Sequence, residues 1–370
     1  MKKTLIALAA LAASGAVMAQ SSVTLYGVVD VGFTSVNNSG TGSTDNTGLT
    51  SSNMTTNRLG FRGTEDLGGG LKANFQVETS LAADAPAASS IGDRGAWVGL
   101  SGGFGEIRLG REYSTTFWSG FLFSPFGTGG VGNGYGFINR ANAHAATGQT
   151  NNIWNNNSIT YTSPRMAGFM VQGQYAFDEI ATAGNDAGRS AGLRINYSGG
   201  PLAAEVGFST TDGGAALTFT APATATPVAG LTTSAKHKSV VGGVSYDFGI
   251  AKVMANFGQE KASVQATGAS LAKITNYEIG VIAPVGPGRL RASYNNSKFD
   301  LTAAAANADP KVSKFALGYI YDLSKRTAVY ATVASQKNKN GGSFVLSGPT
   351  TTGAANGRST GYNIGISHTF

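Results

Sequence analysis

The chain has 370 residues, no cysteine, 53 glycines, only 13% charged residues and a formal net charge of +7. Without cysteine there are no disulfide scaffolds, thiolate zinc sites or cysteine nucleophiles. The three histidines, His144, His237 and His368, share no ligand-like spacing. Metal and nucleophile chemistry has little to start from, and no catalytic residue, metal site or cofactor is expected.

The first element is an address. Lys2 and Lys3 precede an apolar run over 5–13, and Ala-Val-Met-Ala at 16–19 offers a small-x-small cleavage site. This is the layout of a secretory signal peptide, too short to be a membrane helix. Residues 1–19 are therefore expected to be removed after Ala19, leaving 20–370 as one domain with a net charge of +5.

After residue 19 no apolar run approaches the ~20 residues of a membrane helix. Period-two alternation recurs instead, between clusters of glycine, asparagine, serine and aspartate. It begins over 22–34, where Val23, Leu25, Val29, Val31 and Phe33 alternate with Thr24, Tyr26, Val28 and Asp30. Further stretches fall at 55–65, 69–79, 92–101, 104–112, 157–163, 167–178 and 188–198. Those over 201–211, 236–247, 250–262, 273–285 and 287–299 follow, and 311–322, 326–337 and 359–370 complete a set of sixteen. In the stretch over 273–285, Tyr277, Ile279, Val281 and Ala283 share one face while Glu278 and Gly280 take the other. The last stretch places Tyr362, Ile364, Ile366, His368 and Phe370 on a single face. A strand sends successive side chains to opposite faces, so each stretch has one apolar and one polar or small face.

Short connections (65–69, 101–104, 322–325) alternate with long ones (36–54, 113–156, 336–357). Strands of ~10 tilted residues with short turns at one end and long loops at the other describe an outer-membrane barrel. A soluble sandwich or a secreted solenoid would bury the apolar face against another layer. Here the aromatic residues cluster near strand ends: Phe33, Trp97, Phe169, Phe177, Tyr197, Tyr246, Tyr294, Tyr321 and Phe370. That is where a membrane places them. An apolar belt in lipid also requires closure, because an open edge leaves backbone groups unpaired. The expected fold is all-β, a transmembrane antiparallel up-and-down barrel of about sixteen strands.

Several segments resemble Gram-negative general-diffusion porins, especially their β-proteobacterial branch. Ser-Ser-Val-Thr-Leu-Tyr-Gly-Val-Val-Asp (21–30) is similar to the mature start of that family. Asn-Arg-Leu-Gly-Phe-Arg-Gly-Thr-Glu-Asp-Leu-Gly-Gly-Gly-Leu-Lys-Ala (57–73) is similar to its second and third strands. Trp-Val-Gly-Leu (97–100), Leu-Gly-Arg (109–111), Asn-Ser-Ile-Thr-Tyr-Thr-Ser-Pro (157–164) and the terminal Phe370 also fit. The resemblance covers the whole mature chain. It implies a homotrimer of sixteen-stranded barrels in outer-membrane lipid and lipopolysaccharide, each narrowed by an inward-folded constriction loop. It further implies that Phe370 is read by the barrel assembly machinery.

A pore selects with charge and width, and rings of arginine favour anions. Arg58, Gly60 and Arg62 share a strand face, with Leu59 and Phe61 on the other. Arg94 shares parity with Ala96, which directs Trp97 to the opposite face. Positions matching Arg58, Arg62 and Arg94 belong to the basic wall of the resembled family; the other reading is that these arginines pair with acids such as Asp93 or Glu65. A further wall arginine of that family is replaced by Thr160 and Thr162, unless Arg140 or Arg165 substitutes for it. The constriction turn is expected at Ser124, Pro125, Phe126 and Gly127. The 44-residue interval 113–156 that contains it holds Arg140 and His144 but no aspartate or glutamate. Without acids facing the arginines, the neck is expected to prefer anions. Phe121, Phe123 and Phe126 are read as packing the loop to the wall rather than gripping an aromatic solute. Lys236, His237 and Lys238 are read as a solvated loop edge.

The expected function is passive diffusion of small hydrophilic solutes and ions, anionic or neutral, with no nucleic-acid partner. A solute-specific channel for phosphate or carboxylates is the main alternative, since guanidinium groups bind both bidentately. A receptor or adhesin barrel acting through long loops is another. An enzyme in a barrel is disfavoured, because neither His144 nor His368 is placed as a base.

Overall fold

A computed structural model describes residues 22–85, 89–134, 153–178, 188–213, 235–301 and 309–370. The expected signal peptide therefore lies outside the described residues. In chain order the strands are β1 (Ser22–Asn38), β2 (Asn46–Ser51), β3 (Arg58–Gly68), β4 (Leu71–Ser80), β5 (Gly95–Gly102) and β6 (Gly105–Tyr113). After a short helix, α1 (Thr115–Phe121), come β7 (Trp154–Thr162), β8 (Phe169–Ala176), β9 (Ser190–Gly199), β10 (Leu202–Gly213), β11 (Ala235–Asp247) and β12 (Lys252–Val264). The chain ends with β13 (Ser270–Val285), β14 (Gly288–Leu301), β15 (Lys311–Asp322), β16 (Thr327–Lys339) and β17 (Arg358–Thr369). Each of the sixteen expected stretches coincides with one strand, and β2 is additional.

From β3 onward consecutive strands pair antiparallel, and the sheet closes because β1 pairs β17 from Val28↔Thr369 to Asn38↔Ser359. Gly27 and Phe370 extend that seam by exchanging both backbone hydrogen bonds at 3.1 Å. Closure leaves no unpaired edge for lipid to desolvate. The alternation in each strand sorts its two faces. Ile279 and Ile364 are 54% and 57% exposed on the outer face, while the neighbouring Glu278 and Asn363 are 2% and 1% exposed inside. This inverts the usual arrangement of a soluble protein, and the outer surface matches hydrocarbon. Tight turns such as Gly69–Gly70, both at positive φ, lie at one end of the barrel. The longer connections gather at the other.

The second wall position departs from regularity. The far edge of β1 pairs β3 over Ser22–Val28 and β2 over Val31–Val36, so one neighbouring strand is split in two. Residues 52–57 between the two halves bend into the lumen. Asp30, completely buried, holds that bend. Its carboxylate accepts the backbone N–H groups of Asn53 (3.0 Å), Met54 (3.1 Å) and Thr55 (3.1 Å), and the Tyr330 hydroxyl at 2.7 Å. Alternation cannot anticipate β2, whose only large apolar residue is Leu49.

Replacing Asp30 strips acceptors from buried donors, each costing about 1–3 kcal/mol. Asp30→Ala should therefore destabilise the barrel by at least about 2 kcal/mol. It should also raise single-channel conductance as the 52–57 bend retracts. Denaturant unfolding of refolded protein and planar-bilayer recording check the two effects. Tyr330→Phe, which removes one donor, should show a smaller version of both.

Candidate functional site

After β6 the chain turns into the barrel rather than out of it. Ser114 caps α1, its hydroxyl accepting the Phe117 N–H at 3.2 Å. The helix lies against the inner wall of β9–β10: Thr115 donates to the Phe208 carbonyl (3.1 Å) and Ser119 to Glu205 (2.8 Å). Glu205 is in turn held by Arg194 (2.7 Å) and Asn196 (2.8 Å), so the helix rests on a buried, fully bonded carboxylate. Past α1, the Phe123 carbonyl accepts from Asn256 (3.0 Å) and the Pro125 carbonyl from Arg291 (3.3 Å). Lys314 donates to the Asn133 carbonyl.

The segment returns to the β1 side, where Thr128 and Thr56 share a hydroxyl hydrogen bond of 3.2 Å. Glycines make this path possible. A Cβ on Gly243 would sit 2.3 Å from the Phe123 ring, and one on Gly280 would sit 2.2 Å from Pro125.

Of the turn residues, Ser124 and Phe126 are buried, and Gly127 takes a positive φ of 58°. Phe123 and Phe126 pack as expected, Phe126 beneath the Arg291 guanidinium at 4.5 Å. Arg140 and His144 fall outside the described residues.

Among the described residues, a cavity of about 420 Å³ lies between this loop and the wall of β3–β6. Arg58, Arg62 and Arg94 all line it, joined by Arg108, with Glu78 and Glu112 among the lining residues. With Glu106 behind Arg108, four guanidinium groups thus meet three carboxylates, a surplus of one positive charge.

The arginines differ in how far they are neutralised. Arg94 is 7% exposed and donates to Glu78 (2.8 Å) and to the Tyr113 hydroxyl (2.7 Å). Arg108 is clamped between Glu106 (2.7 Å) and Glu112 and stacks on Trp97 at 4.2 Å. Arg58 stands 3.6 Å from Glu78 and donates to the Thr56 carbonyl. Arg62 is exposed to the lumen, with the Tyr26 ring 5.1 Å from its guanidinium carbon and no ion pair to a carboxylate among the described residues.

Three sequence expectations are corrected here. Arg94 lies in the turn before β5, where strand parity does not hold, so Arg94 and Trp97 both face the lumen. Trp97 is therefore a lumenal residue rather than a membrane-interface aromatic. The acids that meet the arginines are Glu78 and Glu112, on neighbouring strands, rather than Asp93 or Glu65. His237 is buried and Lys236 pairs with Asp212 at 3.4 Å, so that triplet starts a strand with alternating faces rather than forming a solvated edge.

The missing wall arginine also has an answer. Arg108 is registered directly opposite Thr160 and places a guanidinium there from the adjacent strand, paired with Glu106 and Glu112. Arg165 bonds Gly168 and Asn196 at the turn end, away from the cavity. Glu-Ile-Arg-Leu (106–109) carried the signal for Arg108, since its charged residues alternate with apolar ones.

Arg94→Ala would strip the buried Glu78 of its shortest ion pair, leaving it the Tyr26 hydroxyl at 2.9 Å and Arg58 at 3.6 Å. Breaking a buried pair from one side costs about 3–5 kcal/mol. Arg62→Ala, which removes an unpaired lumenal group, should cost under about 1 kcal/mol. Unfolding midpoints of the two variants in the same detergent test this ordering.

A family profile described as Gram-negative porin matches residues 4–341. Outer membrane porin protein 32 of Delftia acidovorans is 40% identical over the full length of both chains. The solved anion-selective porin from Comamonas acidovorans is 36% identical, with a TM-score of 0.80 over 95% of this chain and 100% of that one. The trimer form of OmpT from Vibrio cholerae, 17% identical, shares the fold with a TM-score of 0.66 over 95% of this chain and 99% of that one. With a closed barrel, an inward loop and similarity running end to end, the chain belongs to the Gram-negative porins of the outer membrane.

Proposed function

We propose that this porin is a passive, anion-preferring pore for small hydrophilic solutes, and that the cavity beside Arg58 and Arg62 is its neck. The observation that carries this reading is the charge imbalance there: four guanidinium groups against the three carboxylates Glu78, Glu106 and Glu112, with no acid on the loop across from them. Low-dielectric walls strengthen the field of such a surplus on a passing ion. The similarity to an anion-selective porin supports the same sign. Arg62 and Arg58 set the preference, because Arg94 and Arg108 are largely neutralised by their own carboxylates. Ser124–Gly127 serves as the turn that seats the loop, and Arg140 adds positive charge farther along it.

The trimeric form of a porin sharing this fold supports a homotrimer here. The apolar outer belt suits lipid and lipopolysaccharide, and Phe370, bonded into the closing seam, suits recognition by the assembly machinery. A passive pore needs no catalytic group, and none is assigned.

Reversal potentials of single channels under a tenfold potassium chloride gradient test the proposal. The potential should be anion-directed, fall with Arg62→Gln and Arg58→Gln, and rise with Glu78→Gln, which frees Arg58. It should shrink from 0.1 M to 1 M salt, as the Debye length contracts from ~10 Å to ~3 Å. A cation-directed potential in the unmodified protein would overturn the assignment.

A further inference from the structure

Helix α1 presents an unexpected surface to a water-filled lumen. Of its seven residues, Thr115, Thr116, Phe117, Ser119 and Gly120 are buried, leaving Trp118 and Phe121 as the partly open pair. These two are three positions apart and share a helix face. Their rings lie 6.2 Å apart, edge to face, and both line the cavity that holds Arg58 and Arg62. On the barrel wall of that cavity Trp97 stacks on Arg108, so an aromatic ring and a guanidinium also meet on that side. Each ring packs on Phe117 at 5.5 Å, as expected of Phe121, and still turns a remaining face to the lumen that sorting by charge alone does not require. Threonine or asparagine, abundant in the rest of the loop, would be better hydrated.

We infer that the neck is a binding site for aromatic carboxylates, with the carboxylate on Arg62 and Arg58 and the ring against Trp118 and Phe121. This deepens the proposed pore and rests on it. Of the four arginines lining the cavity, Arg62 is the one with no carboxylate ion pair among the described residues, which leaves its donors for a bidentate contact. Arg58 keeps part of its charge available, since its acid stands at 3.6 Å. The ring meets indole and phenyl faces, which prefer another π-system in offset or edge-to-face contact. At about 420 Å³ the cavity is large enough for a single ring with its carboxylate and a few waters. The loop positions both faces through bonds that involve neither ring, at Thr115, Ser119 and Thr128. The site is therefore preorganised rather than assembled by the solute.

The experiment uses the refolded trimer in a planar bilayer at low chloride. Three probes are compared: benzoate, cyclohexanecarboxylate and acetate. Each is titrated for the concentration that halves the chloride conductance. Benzoate should reach that point at a concentration about three- to tenfold below cyclohexanecarboxylate, with acetate weakest. Trp118→Leu and Phe121→Leu keep apolar bulk and should erase the gap between the two ring acids while chloride conductance persists. Arg62→Gln should weaken both ring acids together. Equal titration of benzoate and cyclohexanecarboxylate in the unmodified pore overturns the inference without any variant. A cation-directed reversal potential instead overturns the anion-preferring pore itself, and so separates the two failures.

Discussion

Everything in this barrel depends on the pairing of the first strand with the last. Lipid offers no hydrogen bonds, so a sheet in hydrocarbon must satisfy its backbone internally or not form. β1 meets this demand unusually. One edge runs along β17, and the other is shared between β2 and β3. The break between those two strands leaves six residues without ladder partners, and Asp30 takes over three of their donors. Closure and constriction are therefore linked at one buried carboxylate.

The inward loop shows the same economy. Its carbonyls and hydroxyls are met by inward-facing wall side chains at Glu205, Asn256 and Arg291, while wall glycines let its rings approach the sheet. The high glycine content of the chain has a structural use here, since a methyl group at Gly243 or Gly280 would collide with the loop. Burying so many polar groups is favourable only when they are bonded to one another. The loop supplies the partners that water would otherwise provide, and the lumen is filled on one side and open on the other.

The strands were legible in the sequence because lipid imposes a strict two-residue period. Tyr277, Ile279 and Val281 could hardly be read otherwise. Arg58 and Arg62 were legible for the same reason, as charged residues flanked by Leu59 and Phe61 in one strand. Arg94 could be found by resemblance, but its direction could not, because it sits in a turn outside the alternation. Glu78 and Glu112 were missed because an acid on an inward face looks the same whether it meets an arginine or water. Their meaning arises from register, which brings Glu78 on β4 opposite Gly60 on β3 and beside the Tyr26 hydroxyl. Asp30 was visible as a residue, but its contacts span up to 300 positions of sequence and no local pattern encodes them.

The charges that line the open cavity come from a single run of chain, 58–112, on β3, β4 and β6 and in the turn before β5. The seats that hold the loop come mostly from β9–β14, far downstream. The seating of the loop and ionic taste are thus written in different portions of the gene. A recombination event that swaps the hairpins of β3–β6 between relatives would hand over the preference for one sign of ion while leaving the loop in its seat. A lineage can in this way revise what it admits without rebuilding the gate.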